Sequence, residues 1–502
     1  MLNDQVRNST SDKPFWHKII IKKFSAPVVI AFVVIISLAV TFMIASEGYV
    51  LGVILICSLI GAPVLYATVA SPEFGIITLI VVSFFINFAS RFLPEPTPIG
   101  LVMDALTWLL ILGFFVKKKN EKGWAYFKNP ITYWTIVWIG YNIFEIINPA
   151  SPSVLEWVFT VRTVGILMLM YFVFLYHIRT IEFVRLLIRV WLVLAFISAL
   201  QGFQQENFGL FPFENEWVHR FPDRFKLLFI AGHLRKWGPF SDPVVYAYNM
   251  VAAALICIAF IVSKIKKTSK KIGYGILAAF FFLVMLYSGT RASYVIIPSA
   301  MIMLAILNFN KSVFAFLIFG GLILGFLIVV PTKNGTLARF QSAFRPSKDA
   351  SFEQRAKNQE MIKPYILSHP IGGGLGSVGI WGERFAPNSY LAKFPPDSGY
   401  VRVAVEMGWI GLLIYCIFNF VILYMGIRYF YLIRDPELKT YCLAMILIIF
   451  AFDIGNYPQQ ALVQYPSNIL FYLAMALLSV LMRLDVEKRT LKPGSTTAPI
   501  QY

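Results

Sequence analysis

The sequence predicts an all-α, polytopic membrane protein with about 12–14 transmembrane helices and one large extracytoplasmic loop between late spans. Three observations predict it. Hydrophobic residues make up 58% of the 502 and charged ones 14%, more apolar surface than a chain in water could bury. The apolar residues recur in runs of roughly 18 or more, the length at which a helix crosses a hydrocarbon core. The lysines and arginines behind the formal net charge of +18 gather between those runs, so topology and anionic lipid explain the charge better than nucleic acid does. Cys57, Cys257, Cys416 and Cys442 all fall inside apolar runs, where they serve as small hydrophobes and offer neither a disulfide framework nor metal-ligand spacing.

Residues 1–25 read as a polar cytoplasmic tail, with Lys18, Lys22 and Lys23 ahead of the first apolar run. That run, Ala26 to Ala45, is too long for a cleaved signal and reads as a retained span. Within a membrane domain over 26–483, spans are expected near 26–45, 49–70, 74–93, 101–116, 131–147, 155–176 and 184–203. Others follow near 244–263, 272–287, 292–308, 312–330, 401–427, 439–455 and 467–482, before a C-terminal tail over 484–502. With the N-terminus inside, the links at Lys117 to Lys122, Lys264 to Lys271 and Arg428 to Lys439, and the C-terminal tail, are all cytoplasmic and all basic. The short loops then placed outside, at 46–48, 94–100, 148–153 and 457–466, hold no Lys or Arg. This asymmetry predicts cytoplasmic N- and C-termini and an even number of spans.

Two long outer segments, 204–243 and 331–399, are basic without a topological need to be, since long loops translocate regardless of charge. The first interleaves Arg220, Arg224, Lys226, Arg235 and Lys236 with Trp217, Phe221, Phe225 and Trp237. Aromatics beside cations suit stacking on sugar rings, or equally an interfacial helix on anionic lipid. Arg291, in LYSGTRASYV, sits between two spans with almost no loop, where an arginine is expensive unless it faces a partner or an aqueous cavity. Arg162 and Glu156 form an internal pair or line that same cavity, and Asp104 and Asp453 are further carboxylates at membrane depth.

The second segment opens a helix at Ser351 with a capping-box pattern running toward Lys363, weakened at Pro364. SHPIGGGLGSVG, from Ser368, permits close backbone approach to a ligand or is a flexible turn, but lacks the lysine and the strand–turn–helix setting of a nucleotide loop. Asp397 precedes the helix DSGYVRVAVEMGWIGLL, as a general base toward a hydroxyl or as a helix cap. Arg402 and Glu406 stand one turn apart on that helix.

LRKWGPFSDPVVYAYNM from Leu234, LYSGTRASYV from Leu286, FEQRAKNQEMIKPYILSHPIGGGLGS from Phe352 and the Asp397 helix together resemble the bacterial O-antigen ligase and O-antigen polymerase superfamily. The resemblance covers about the C-terminal half of the chain. It implies a bacterial inner-membrane glycosyltransferase acting on undecaprenyl-diphosphate-linked glycans, with Arg235 and Arg291 holding the lipid diphosphate. Where the family usually carries His-Asn after the large loop, this chain has Asp397-Ser398, and His369 is the nearest histidine that could take the histidine's place. The missing histidine favours a polymerase for O-antigen or exopolysaccharide over a ligase.

The expected site is therefore Asp397 and His369 for catalysis, with Arg235, Arg291, Arg220, Arg224, Lys236, Arg162 and Arg402 binding substrate. The expected partners are a lipid-linked glycan donor, a glycan or lipid-linked acceptor, membrane lipids and chain-length or export proteins. No cofactor is expected, and no metal, because the outer loops contain no DxD and the chain no His-x-x-x-His or cysteine cluster. A flippase or secondary transporter is the alternative from another class, although the two halves show no internal repeat of the kind such folds carry. A catalytically silent scaffold for polysaccharide export is a third.

Overall fold

The computed structural model describes residues 61–490, apart from 95–96, 98, 118–122, 231, 264–266, 310, 333–334, 345–349, 396 and 461, with scattered residues between 31 and 46. The N-terminal tail, most of the two spans expected at 26–45 and 49–70, most of the 117–122 link, part of the 264–271 link and the tail beyond 490 lie outside the described residues. The chain divides into two units, 1–67 and 68–502. Described residues of the first are helical, with Val34, Ile35, Leu38 and Phe42 exposed. The second holds the bundle.

Its membrane helices are α1 (Pro72–Ala89), α2 (Gly100–Lys117), α3 (Pro130–Phe144), α4 (Val154–His177) and α5 (Ile181–Asn207). A connecting segment follows, with α6 (Pro212–His219), α7 (Pro222–Leu228) and a two-stranded hairpin of β1 (Phe229–Ile230) and β2 (His233–Leu234). Then come α8 (Pro243–Val262), α9 (Thr268–Tyr287), α10 (Arg291–Leu307) and α11 (Lys311–Val329). The large loop folds as α12 (Gly335–Ser342), α13 (Ala350–Ser368) and α14 (Ile380–Phe385), and the chain ends with α15 (Gly399–Leu432), α16 (Pro436–Gly455) and α17 (Ser467–Thr490). Among the described residues eight helices are long and apolar enough to cross a membrane, and Gly100–Phe115, Arg291–Leu307 and Val313–Val329 are shorter apolar helices. Every span expected from residue 74 onward falls on one of these helices or on α3.

The bundle is layered. In α8 and α17, 89% of the most apolar stretch is buried, against 22% in α9, so α8 and α17 are core and α9 turns its apolar side outward. Asp242 starts α8, accepting from the Val244 and Val245 N–H groups at 2.7 and 3.0 Å, with Pro243 at the first helical position. Small residues at Ala252, Ala253 and Ala254 let neighbouring helices close on it. Asn249 Nδ2 reaches Ser467 Oγ at 3.0 Å, tying α8 to α17.

The connecting segment is anchored by a buried polar hub. Arg91 Nη1 meets Glu214 Oε1 at 3.0 Å, and Nη2 donates to the carbonyls of Gly238 (2.6 Å) and Phe240 (3.0 Å). Gln201 and Gln205 also donate to Glu214 Oε1, at 2.8 and 2.7 Å. Both charges are completely buried, and the hydrogen bonds from both Arg91 terminal nitrogens and to Glu214 offset much of the cost of removing the pair from water.

α15 is discontinuous. Gly408 has φ +70°, which only glycine adopts cheaply, and the released carbonyls find donors elsewhere. Gly373 N–H donates to Val405 O and Gly374 N–H to Glu406 O, each at 2.9 Å, and Tyr141 OH to Met407 O at 2.9 Å. A Cβ on Gly372 would strike the backbone of Glu406 and Gly408, and one on Gly376 the Glu156 carbonyl and Thr160. The glycines of SHPIGGGLGSVG thus serve backbone-to-backbone packing against α15 and α4. α13 also continues through Pro364 to Ser368, one turn past the expected weak point. Ile362, Val378, Leu391, Phe394 and Val405 form a small separate core that seats the large loop on α15.

Candidate active site

The tight turn between α9 and α10 is the foundation of the site. Ser288 Oγ donates to Met285 O at 2.6 Å and accepts from Thr290 N–H at 3.1 Å, while Thr290 Oγ1 donates to Pro243 O at 3.1 Å, pinning the turn to the start of α8. Gly289, at φ +58°, exposes its carbonyl in a way an L-residue resists, and a Cβ there would come within 2.9 Å of Arg339 Nε. Two arginines from separate segments dock on this turn. Arg235, just after the hairpin, donates from Nε to Ser288 O (2.9 Å) and from Nη2 to Thr290 Oγ1 (3.0 Å). Arg339, from α12, donates from Nε to Gly289 O at 2.7 Å. All three acceptors are neutral. Burial, and then the Arg339 guanidinium beside it, push the Arg235 pKa down to about 10, so it stays charged at neutral pH in a place that disfavours charge.

A cavity of about 820 Å³ opens on this turn at the end of the bundle where α8, α10 and α15 begin. Arg224, Arg235, Arg291, Arg339 and Arg355 line it, against two carboxylates, Asp242 and Asp397. Asp242 is already committed to capping α8. Leu227, Leu228, Ile230, Val244 and Val245 supply an apolar wall, and Gln459, Gln460 and Gln464, from the loop between α16 and α17, line the cavity with neutral amides. Arg224 stacks over Trp217 at 4.0 Å and Phe221 at 5.0 Å, both lining residues. The segment expected to interleave aromatics and cations therefore presents both to one space.

Asp397 is exposed at this cavity. Ser398, not Asp397, caps α15, its side chain accepting from Val401 N–H, so the carboxylate next to it is not needed as the cap. Among the described residues no three His, Cys, Asp or Glu side chains gather to hold a metal ion.

Five of the residues expected at the site do not line the cavity. His369 stacks on Tyr365 with ring centroids 4.0 Å apart, its Nδ1 near Ser368 Oγ and Tyr365 O. Arg162 lies 3.2 Å from Asp104, so its partner is that carboxylate and not Glu156. Lys236 is buried against Glu206 at 3.3 Å, and Arg220 reaches Glu216 and the Leu93 carbonyl, both at 3.4 Å. Arg402 stands behind the wall, with Nε 3.0 Å from Glu406 Oε1 and Nη1 donating to Gln460 Oε1 at 2.8 Å. Arg339, Arg355 and the three glutamines were not singled out from sequence. The arginines were visible only as part of a basic loop, and the glutamines lie in a loop whose lack of Lys and Arg had drawn notice only for topology.

Residues 276–416 match a family model described as O-Antigen ligase. The matched stretch, less than half of the chain, carries Arg291, Arg339, Arg355 and Asp397, and that family is what this part of the chain is similar to. No curated protein matches the chain.

Proposed function

We propose that this polytopic membrane protein, carrying an O-antigen ligase segment, joins saccharide units linked to undecaprenyl diphosphate on the outer side of the bacterial inner membrane. The observation that carries the proposal is the gathering of five arginines and Asp397 around one cavity. As the glycosidic bond to the carrier breaks, negative charge develops on the leaving diphosphate, and guanidinium groups already fixed by Ser288, Gly289 and Thr290 stabilise it without reorganising. Asp397 accepts the proton of the incoming sugar hydroxyl, whose oxygen bonds to the anomeric carbon while the lipid diphosphate departs with its own oxygen. The arginines supply the charge that a divalent ion would otherwise bring. The apolar wall takes the first prenyl units, and Gln459, Gln460 and Gln464 meet sugar hydroxyls. A polymerase is favoured over a ligase by Asp397-Ser398 standing where the family usually carries His-Asn. Chain-length or export proteins are the natural partners of a polymerase.

A flippase or other secondary transporter is a second reading, favoured by the break in α15 at Gly408 beside the buried Glu406, since transporters build substrate sites on discontinuous helices. Deleting the gene and extracting lipid-linked intermediates separates the two. Single repeat units accumulating on the outer face support a polymerase, long lipid-linked chains a ligase, and units held on the cytoplasmic face a transporter. Asp397→Asn should lower transfer by roughly 10²–10⁴-fold with diphosphate binding retained; full activity in that variant would remove Asp397 as the base.

A further inference from the structure

A second hollow, of about 480 Å³, lies at the other end of the bundle and shares no lining residue with the arginine cavity. α8 lends residues to both: Val245 to the arginine cavity and Phe260 to this one, about fifteen residues or roughly 22 Å apart at 1.5 Å per residue. The two sites therefore face opposite sides of the membrane.

The hollow is a groove between α5 and α9, closed behind by Phe260 of α8 and Tyr441 of α16. It is amphipathic along its length. Its deeper part is Ile188, Leu192, Val193 and Phe196 of α5 facing Leu277 of α9. Val193 and Phe196 are exposed, so this part opens toward hydrocarbon. Its rim is Arg185, Arg189, Glu437 and Tyr274.

The two rim arginines differ. Arg185 Nε and Nη2 grip the Glu437 carboxylate at 2.8 and 2.7 Å, with Glu182 3.5 Å from Nη1, and Tyr441 OH donates to Glu437 Oε1 at 3.0 Å. In that set the Arg185 guanidinium is already matched by carboxylates. Arg189, one turn further along the same face of α5, is exposed at the rim. Lys270 and Lys271, four and three residues before Tyr274 on α9, stand on its face of that helix. A cationic rim above a lipid-facing apolar slot complements an anionic headgroup with acyl chains below it, and basic pockets between membrane helices bind such lipids.

We infer that this groove is a binding site for an anionic phospholipid, its phosphate at Arg189 and one acyl chain along Leu192, Val193 and Phe196. The site is separate from the cavity assigned to the lipid-linked substrate, and it stands whether or not that assignment holds. Arg185 and Glu437 act as positioning residues, their ion pair fixing α5 to α16 and so the width of the slot.

The test uses the full-length protein in nanodiscs of equimolar phosphatidylglycerol and phosphatidylcholine, with native mass spectrometry of the lipids retained on release. The wild type is expected to retain phosphatidylglycerol over phosphatidylcholine, and Arg189→Gln to weaken that preference about fivefold, the effect of one cation near a headgroup. Arg434→Gln, which removes an exposed cation at the same end but outside the groove, should leave the preference unchanged. Val193→Trp fills the slot from an exposed position and should reduce retention of both lipids; it decides the matter if Arg189→Gln does not fold. Equal retention of the two lipids by the wild type, an equal loss in Arg434→Gln, or unchanged retention in Val193→Trp would each overturn the proposal. Recovery of a polyprenyl-linked species in place of the phospholipid would overturn the assignment of the occupant.

Discussion

Arg91 and Arg235 both enclose a guanidinium in the same end of one bundle, and their surroundings are opposite. Arg91 has a buried carboxylate at 3.0 Å, two backbone carbonyls and three aromatic rings around it. Arg235 bonds a carbonyl and a hydroxyl, and beside it stands a second guanidinium, that of Arg339. A buried cation matched by a carboxylate holds segments together. Five guanidiniums facing two carboxylates around an open cavity leave an excess of positive charge that suits an anionic ligand.

The sharpest way to break this comparison is to remove one partner from each. Arg91→Ala leaves Glu214 buried and uncompensated, and should destabilise the protein by about 3–5 kcal/mol, read as a fall in detergent-solubilised melting temperature. The paired change Arg91→Met with Glu214→Leu should recover most of that loss. Arg235→Ala should do the reverse. Its stability should change by about 1 kcal/mol or less, since only hydrogen bonds to neutral groups go, while transfer falls roughly 10²–10³-fold. If Arg235→Ala unfolds the protein and Arg91→Ala leaves it intact, the two roles have been assigned the wrong way round.

Ligand-induced stabilisation offers a smaller effect. A short prenyl diphosphate at one hundred times its Kd should raise wild-type stability by about 2.7 kcal/mol, and the gain should vanish in Arg235→Ala. Smallest is the acid response of His233, on the hairpin that delivers Arg235. Burial, with help from Lys236 and Arg339 and against Glu206, holds its pKa below the usual histidine value. Folding therefore disfavours its protonation, so this residue costs nothing above the unfolded pKa, and stability falls as pH drops through that value toward the folded one. A His233→Gln variant should lose less stability than the wild type between pH 7 and pH 5.5.

Much of this was legible in the chain. Long apolar runs fix helices whatever their neighbours, because an unsatisfied peptide group in hydrocarbon is prohibitively costly, and every expected span from residue 74 onward falls on a helix. Arg235, Arg291, Arg224 and Asp397 were also identifiable, as cations and a carboxylate placed where lipid-grade sequence gives no reason for them. Arg339 and Arg355 were not, since inside a basic loop one arginine reads like another until the fold selects two. Nor was the hub at Arg91, whose partner Glu214 lies more than a hundred residues away.

The sequence by itself determined that this protein lives in a membrane, where its helices run, and that its loops hold more positive charge than topology requires. Only the tertiary structure decided which cations share a cavity, that Ser288, Gly289 and Thr290 hold two of them together, and that Arg162, Lys236 and Arg402 are matched by carboxylates. Hydrophobicity is a local property that each segment carries with it, whereas charge compensation depends on which distant residues the fold brings within a few ångströms.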